Sequence, residues 1–199
     1  MPMPSAALPL TRDLVLIGGG HTHALVLRMW GMRPVAGVRL TLISPAPAAA
    51  YSGMLPGFIA GHYPRDALDI DLVRLARHAG ARLVLARATG LDRPARRVLV
   101  EGRAPIAYDL VSIDIGISSE MPGLPGFADH AVPAKPLDAF ADRWERFVAA
   151  CGRGEARPSV AVVGAGVAGV ELALAARHRL GETAEVTLVE AETALAAIG

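Results

Sequence analysis

Apolar residues along this chain follow two alternating patterns. Leu14-Val15-Leu16-Ile17 is a continuous apolar run that stops at Gly18-Gly19-Gly20. Ala24, Leu25, Leu27 and Trp30 then recur at helical spacing, which predicts a helix from about His21 to Met32. Val38–Ile43 reads as the next strand. Neither strand alternates cleanly between apolar and polar residues, as expected of strands buried on both faces. Together they predict a β-turn-α-β unit with parallel strands.

The middle of the chain is less regular. Residues 40–64 carry no Asp, Glu, Lys or Arg, but Pro45, Pro47, Pro56, Pro64, Gly53, Gly57 and Gly61 interrupt them. A membrane-spanning helix needs about 20 mostly apolar residues with a satisfied backbone. The stretch therefore reads as a long rigid functional loop. Leu68, Leu72, Leu75 and Ala76 predict a helix over 65–79. Strands follow at 81–86, 97–100 and 108–115, with Gly90, Gly102 and Pro105 marking at least one hairpin. The Pro/Gly-rich stretch 116–136 reads as an extended crossover. Phe140, Trp144 and Phe147 form one stripe of a helix over 138–150, read as a core-packing stripe. Cys151-Gly152-Arg153-Gly154 reads as a linker.

The opening pattern then returns. Val160–Val163 is a strand, Gly164-Ala165-Gly166 a turn, Val167–Leu180 a helix and Glu185–Glu190 a strand. This predicts an α/β protein with tandem Rossmann-like domains on parallel sheets. The expected division is 10–134 for the first domain, 135–157 for a connecting helix and linker, and 158–199 for the start of the second.

Composition excludes several alternatives. The 199 residues are 52% hydrophobic and only 5% aromatic, enough apolar material for a packed core. Lys and Arg total 20 against 19 Asp and Glu, with no basic stripe, so nucleic acid is not an expected partner. The single cysteine, Cys151, permits no internal disulfide and no cysteine-rich zinc site, and no metal is expected. The opening residues lack a basic start and an apolar run, so they do not read as a signal peptide.

The two glycine turns carry the chemistry. Gly164-Ala165-Gly166-Val167-Ala168-Gly169 is G-x-G-x-x-G, between a strand and a helix. In such a turn the first glycine allows a tight bend and the second admits a pyrophosphate. The third lets helix and strand pack closely. The helix N-terminus then offers amide donors and the positive end of its dipole to phosphate. Glu190 closes the second strand, where a carboxylate accepts hydrogen bonds from ribose hydroxyls and repels a 2′-phosphate. NADH is therefore expected over NADPH. In the first turn Gly18 and Gly20 fit, but His23 stands in the third glycine position and Ser44 where an acid is expected. His21 and His23 flank this turn, either as phosphate donors or as capping and packing groups. Two turns imply two dinucleotides, a tightly held FAD first and a diffusible NAD(H) second.

With those motifs in that order, the chain resembles the pyridine nucleotide-disulfide oxidoreductase superfamily of two-dinucleotide-binding-domain flavoproteins. Tyr108-Asp109 through Asp114-Ile115-Gly116 stands where the superfamily has its "YD…ATG" segment, with Asp114-Ile115 replacing Ala-Thr. Gly169-Val170-Glu171 resembles the "GVE" of type II NADH dehydrogenases. Gly18–His23, Tyr51–Gly57 and Ile59–Tyr63 resemble the FAD-dependent oxidoreductase found alone or fused ahead of selenide, water dikinase. The resemblance implies that Gly18, Gly20 and His21 lie at the FAD pyrophosphate and Ser44 near its ribose. The Ala88 backbone would face the adenine. Tyr51, Ser52, Gly53, Met54 and Gly116 would lie at the flavin. Glu171 would be a catalytic acid near the flavin–nicotinamide junction, unless the helix dipole alone accounts for it. No redox cysteine pair stands where the superfamily's disulfide reductases carry theirs, which favours an external electron acceptor.

The resemblance also implies that these residues are an N-terminal part of a longer protein. The whole would be cytoplasmic or peripheral to the inner face of the membrane, with a quinone, small molecule or protein as acceptor. A dikinase domain could follow. The competing reading is a dinucleotide-binding module without turnover. An ordinary NAD-dependent dehydrogenase with one nucleotide site fits less well, because the crossover near Gly116 precedes a second unit.

Overall fold

The computed structural model describes residues 11–116, 123 and 125–191. In chain order the elements are β1 (Arg12–Ile17), α1 (His21–Met32), β2 (Val38–Ser44), β3 (Ala48–Ala50), α2 (Leu55–Ile59), β4 (Asp69–Asp71) and α3 (Leu72–Ala79). There follow β5 (Arg82–Leu85), β6 (Ala88–Asp92), β7 (Arg97–Val100), β8 (Ile106–Ala107) and β9 (Leu110–Ile113). The rest is α4 (Phe127–His130), α5 (Leu137–Gly152), β10 (Ser159–Val163), α6 (Val167–Leu180) and β11 (Glu185–Val189).

The described chain forms two compact units. One contains the described residues up to Ala49 together with Ile70–Gly116. The other contains Ala50–Asp69 and the described residues after Gly116. β3 and β4 pair with each other where the chain passes between the two.

The first unit is built on a four-stranded parallel sheet in the order β5-β2-β1-β9. Side chains alternate across a strand, so consecutive residues serve opposite faces. Leu16, Leu40 and Leu42 face one way and pack with Leu27 of α1 and Leu72 of α3. Val15, Ile17, Ile43 and Val84 face the other way and pack with Val98 and Val100. The second face is covered by an antiparallel meander, β6-β7-β8. Both faces are thus buried, which explains the unbroken apolar runs.

The second unit pairs β10 and β11 in parallel across α6. Its core joins Leu55, Phe58 and Ile59 of α2 with Ala141 and Trp144 of α5 and Ala175 and Ala176 of α6. The Trp144 indole donates to the Ile59 carbonyl at 3.2 Å. Phe140 and Phe147 pack against the same core, as the stripe predicted. Arg65 holds the edge of α5, donating to Asp138 at 2.9 Å and to Asp69 at 3.1 Å.

Three sequence expectations change. The helix expected over 65–79 begins only at Leu72. Residues Arg65–Leu68 form a single tight turn and Asp69–Asp71 a strand. The Asp71 carboxylate accepts the Arg74 amide at 2.9 Å and caps the helix there. Leu68 and Leu72 share helical spacing but enter different cores. The loop expected over 40–64 contains β3 and α2. Pro56 is tolerated because it lies in the first turn of α2, where its missing N–H has no helical partner. The linker expected at Cys151 is the end of α5, which runs through Gly152. Of the crossover expected over 116–136, residues 117–122 and 124 lie outside the described residues. Its described part contains α4.

Candidate functional site

The two glycine turns have matching backbones. Gly18 has φ +94° and Gly164 φ +101°. The amide of each donates at 2.8 Å across to the end of the neighbouring parallel strand, Gly18 to Ile43 and Gly164 to Val189. Gly20 (φ −60°, ψ 169°) and Gly166 (φ −62°, ψ 172°) then cap their helices without any side chain. A helix start of this kind at the carboxyl end of a parallel strand offers its leading amides to a ligand, although in α1 the His23 amide is taken by the Asp114 carboxylate. Neither α1 nor α6 has an acid in its first turn.

The glycines differ in what requires them. A Cβ on Gly19 would run into Leu72 of α3, and one on Gly20 into the Asp114 carboxylate. In the second unit a Cβ on Gly169 would run into the Gly164 carbonyl oxygen. Close helix–strand packing therefore demands the third glycine of that motif. Gly166 is another matter. Its φ suits any residue, and a Cβ there meets no described atom within 4 Å. Neither its backbone nor any described neighbour requires glycine there, and the space beside it is open among the described residues.

Glu190 follows β11, and its Oε2 accepts the Ala165 amide inside the turn at 2.6 Å. Its Oε1 accepts the Ala191 amide at 2.7 Å. The acid expected at the ribose thus stands beside the glycine turn. Ser44, its counterpart after β1-α1-β2, is buried and donates its hydroxyl to the Ala46 carbonyl at 3.0 Å. Glu171 is exposed on α6, just beyond its first turn.

Gly18, Gly20, His21, Ser44, Ala88 and Gly116 belong to the first unit. Gly18, Gly20, His21, Ser44 and Gly116 gather at the carboxyl ends of β1, β2 and β9, the edge where open parallel sheets bind ligands. Ala88 opens β6 opposite Val100. Tyr51, Ser52, Gly53 and Met54 belong to the second unit, together with Gly164, Gly166, Gly169, Glu171 and Glu190. The Tyr51 ring lies over Gly53, where a Cβ would meet its Cζ and hydroxyl at 2.7 Å.

Two residues at the first turn were not singled out from sequence. The Asp114 carboxylate accepts the His23 amide at 3.1 Å, and the Ser112 hydroxyl lies 2.9 Å from His23 Nε2. The one sequence signal was Asp114 in place of alanine in the "YD…ATG" segment.

Comparison with known proteins agrees with this geometry. The pyridine nucleotide-disulphide oxidoreductase family profile matches residues 12–198. The chain belongs to this family. Membership supports the cofactor pair expected from the two turns, FAD and NAD(H). The chain is 29% identical over 167 residues to the NADH dehydrogenase-like protein YutJ of Bacillus subtilis (strain 168). That match covers 81% of the chain and 44% of the relative. It is 27% identical over 122 residues to demethylphylloquinone reductase NdbB of Synechocystis sp. (strain ATCC 27184 / PCC 6803 / Kazusa), covering 59% and 30%. The chain therefore spans less than half the length of these relatives. In fold it matches reduced Bacillus anthracis CoADR-RHD at TM-score 0.74 and 21% identity, over 90% of this chain and 33% of that one. No helix among the described residues is long and apolar enough to cross a membrane.

Proposed function

We propose that this chain is the nucleotide-binding part of an FAD-dependent NADH oxidoreductase, FAD on the first turn and NADH on the second. The observation that supports the reading is Gly166, which neither its backbone angle nor any described neighbour requires, at the open mouth of the second glycine turn. The first turn fits FAD through its glycine bend and helix start at the strand ends, with the His23 amide already held by Asp114. Bound there, FAD supplies acceptance of a hydride and its onward release. The protein's share is to hold the phosphates on helix amides and to select the nucleotide. At the second turn, the leading amides of α6 take the diphosphate and Glu190 meets the adenosine ribose. Tyr51–Met54 and Gly116 are proposed at the flavin, Ala88 at the adenine, and Glu171 at the junction of the two cofactors.

The acceptor we favour is a quinone, supported by the demethylphylloquinone reductase among the relatives. The only cysteine, Cys151, lies within α5, so no dithiol step is carried by these residues. A selenium compound supplied through a linked dikinase, or a protein partner, is the competing acceptor. Steady-state turnover with each acceptor class decides between them.

Nucleotide choice tests the second turn. NADH is expected to reduce the flavin of the full-length protein at least about tenfold faster than NADPH, a difference of about 1.4 kcal/mol. Glu190→Gln, which removes the charge that repels a 2′-phosphate, is expected to narrow that ratio. Equal or faster reduction of the wild type by NADPH would sink the assignment.

A further inference from the structure

His23 is the one buried ionisable side chain among the described residues, with 1% of its surface exposed. Its Nδ1 lies 2.7 Å from the Gly18 carbonyl oxygen and its Nε2 lies 2.9 Å from the Ser112 hydroxyl. A carbonyl only accepts, so Nδ1 carries a proton. In the neutral ring Nε2 then accepts from the serine hydroxyl. Both ring nitrogens are engaged inside the protein, which removes the phosphate-donor reading of this histidine.

The second turn shows what the imidazole replaces. There the matching residue is Gly169, pressed so closely on the Gly164 carbonyl that a Cβ would collide with it. In the first turn the same carbonyl, Gly18, faces an imidazole at hydrogen-bond distance. The helix stands off far enough to admit a side chain, and that side chain fills the gap and satisfies the carbonyl. The His23 amide also donates to the Asp114 carboxylate at 3.1 Å. One residue thus touches the glycine turn on one side and the end of β9 on the other, some 90 positions away in sequence.

We infer that His23 is a positioning residue that locks the first glycine turn to the strand end Ser112–Gly116. The two segments proposed at the FAD diphosphate and at the flavin are thereby set as one piece. The inference rests on the flavoprotein reading above. It predicts that breaking the lock changes how FAD is held as well as the stability of the fold.

The test uses the full-length protein, three single variants and one double variant. Ser112→Ala removes the partner of Nε2. His23→Asn keeps a donor where Nδ1 stands and loses Nε2. Ser112→Thr retains the hydroxyl. The readouts are the FAD dissociation constant, the visible circular dichroism of bound flavin, the melting temperature, and NADH affinity at the second turn. Ser112→Ala and His23→Asn are each expected to weaken FAD binding about tenfold, the scale of one lost hydrogen bond on a buried imidazole. Both change the flavin dichroism, and Ser112→Thr restores the wild-type values. Ser112→Ala adds nothing on top of His23→Asn, because its bond is already gone. Variants that melt earlier but keep wild-type FAD affinity and dichroism overturn the inference. A wild-type protein that binds no FAD overturns the flavoprotein reading itself, and the inference with it.

Discussion

Gly18→Ala is expected to strip the protein of FAD and to remove a large share of its stability. Gly18 sits at φ +94°, where an L-residue is strained by about 1–3 kcal/mol. The added methyl group would also run into the Asp114 carbonyl oxygen. That carbonyl cannot retreat cheaply, because the Asp114 amide donates at 2.8 Å to Ile17 at the end of the β1–β9 ladder. Overpacking against a fixed neighbour adds about 1–3 kcal/mol. The total, about 2–6 kcal/mol, is a large fraction of the roughly 5–15 kcal/mol by which a domain is stable. Gly164→Ala is the internal control. It shares the positive φ (+101°) but meets no described atom within 4 Å, so only the backbone strain applies. Denaturant unfolding should therefore rank wild type first, Gly164→Ala second and Gly18→Ala last, while FAD content per chain falls only in Gly18→Ala. A Gly18→Ala protein with wild-type stability and full FAD content would mean that the packing at the first turn is misassigned.

Gly166→Ala should separate binding from folding. Its backbone suits alanine and no described atom lies in the way. Loss of the glycine cap costs the fold about 1 kcal/mol or less. The methyl group would stand in the space proposed for the NADH diphosphate. KM for NADH is expected to rise about 100-fold, close to 3 kcal/mol, with FAD content unchanged. Gly169→Ala should behave in the opposite way and damage the fold first, because its methyl meets the Gly164 carbonyl. If Gly166→Ala leaves KM where it was, the second turn is not the NADH site.

The sequence made legible what depends on neighbours in the chain. Apolar runs ending at glycines marked β1, β10 and both glycine turns, and the return of the opening pattern gave α6 its observed limits, Val167–Leu180. Local spacing misled where tertiary structure decides. Leu68 and Leu72 stand one helical turn apart, yet a capping aspartate between them starts the helix late. The short α2 was hidden by proline and glycine, because its stability comes from burying Leu55, Phe58 and Ile59. The bond from Trp144 to Ile59 spans 85 positions, so the affiliation of residues 50–69 with the second unit left no local trace. At the site, the glycine turns and the place of Glu190 beside the second were readable because they follow from the strand-turn-helix-strand pattern. The His23–Ser112–Asp114 network was not. Histidine in a glycine position signals a departure without saying what fills the gap, and its partners come from a distant strand.

The central claim is that a nicotinamide nucleotide on the second turn reduces a flavin on the first. Anaerobic titration of the full-length protein with NADH, followed by visible absorbance, tests it most directly. The account predicts a yellow protein carrying one FAD, bleached by one equivalent of NADH and recoloured by a quinone. A colourless protein, or bound FAD that NADH leaves oxidised, would contradict it and favour a nucleotide-binding module without turnover.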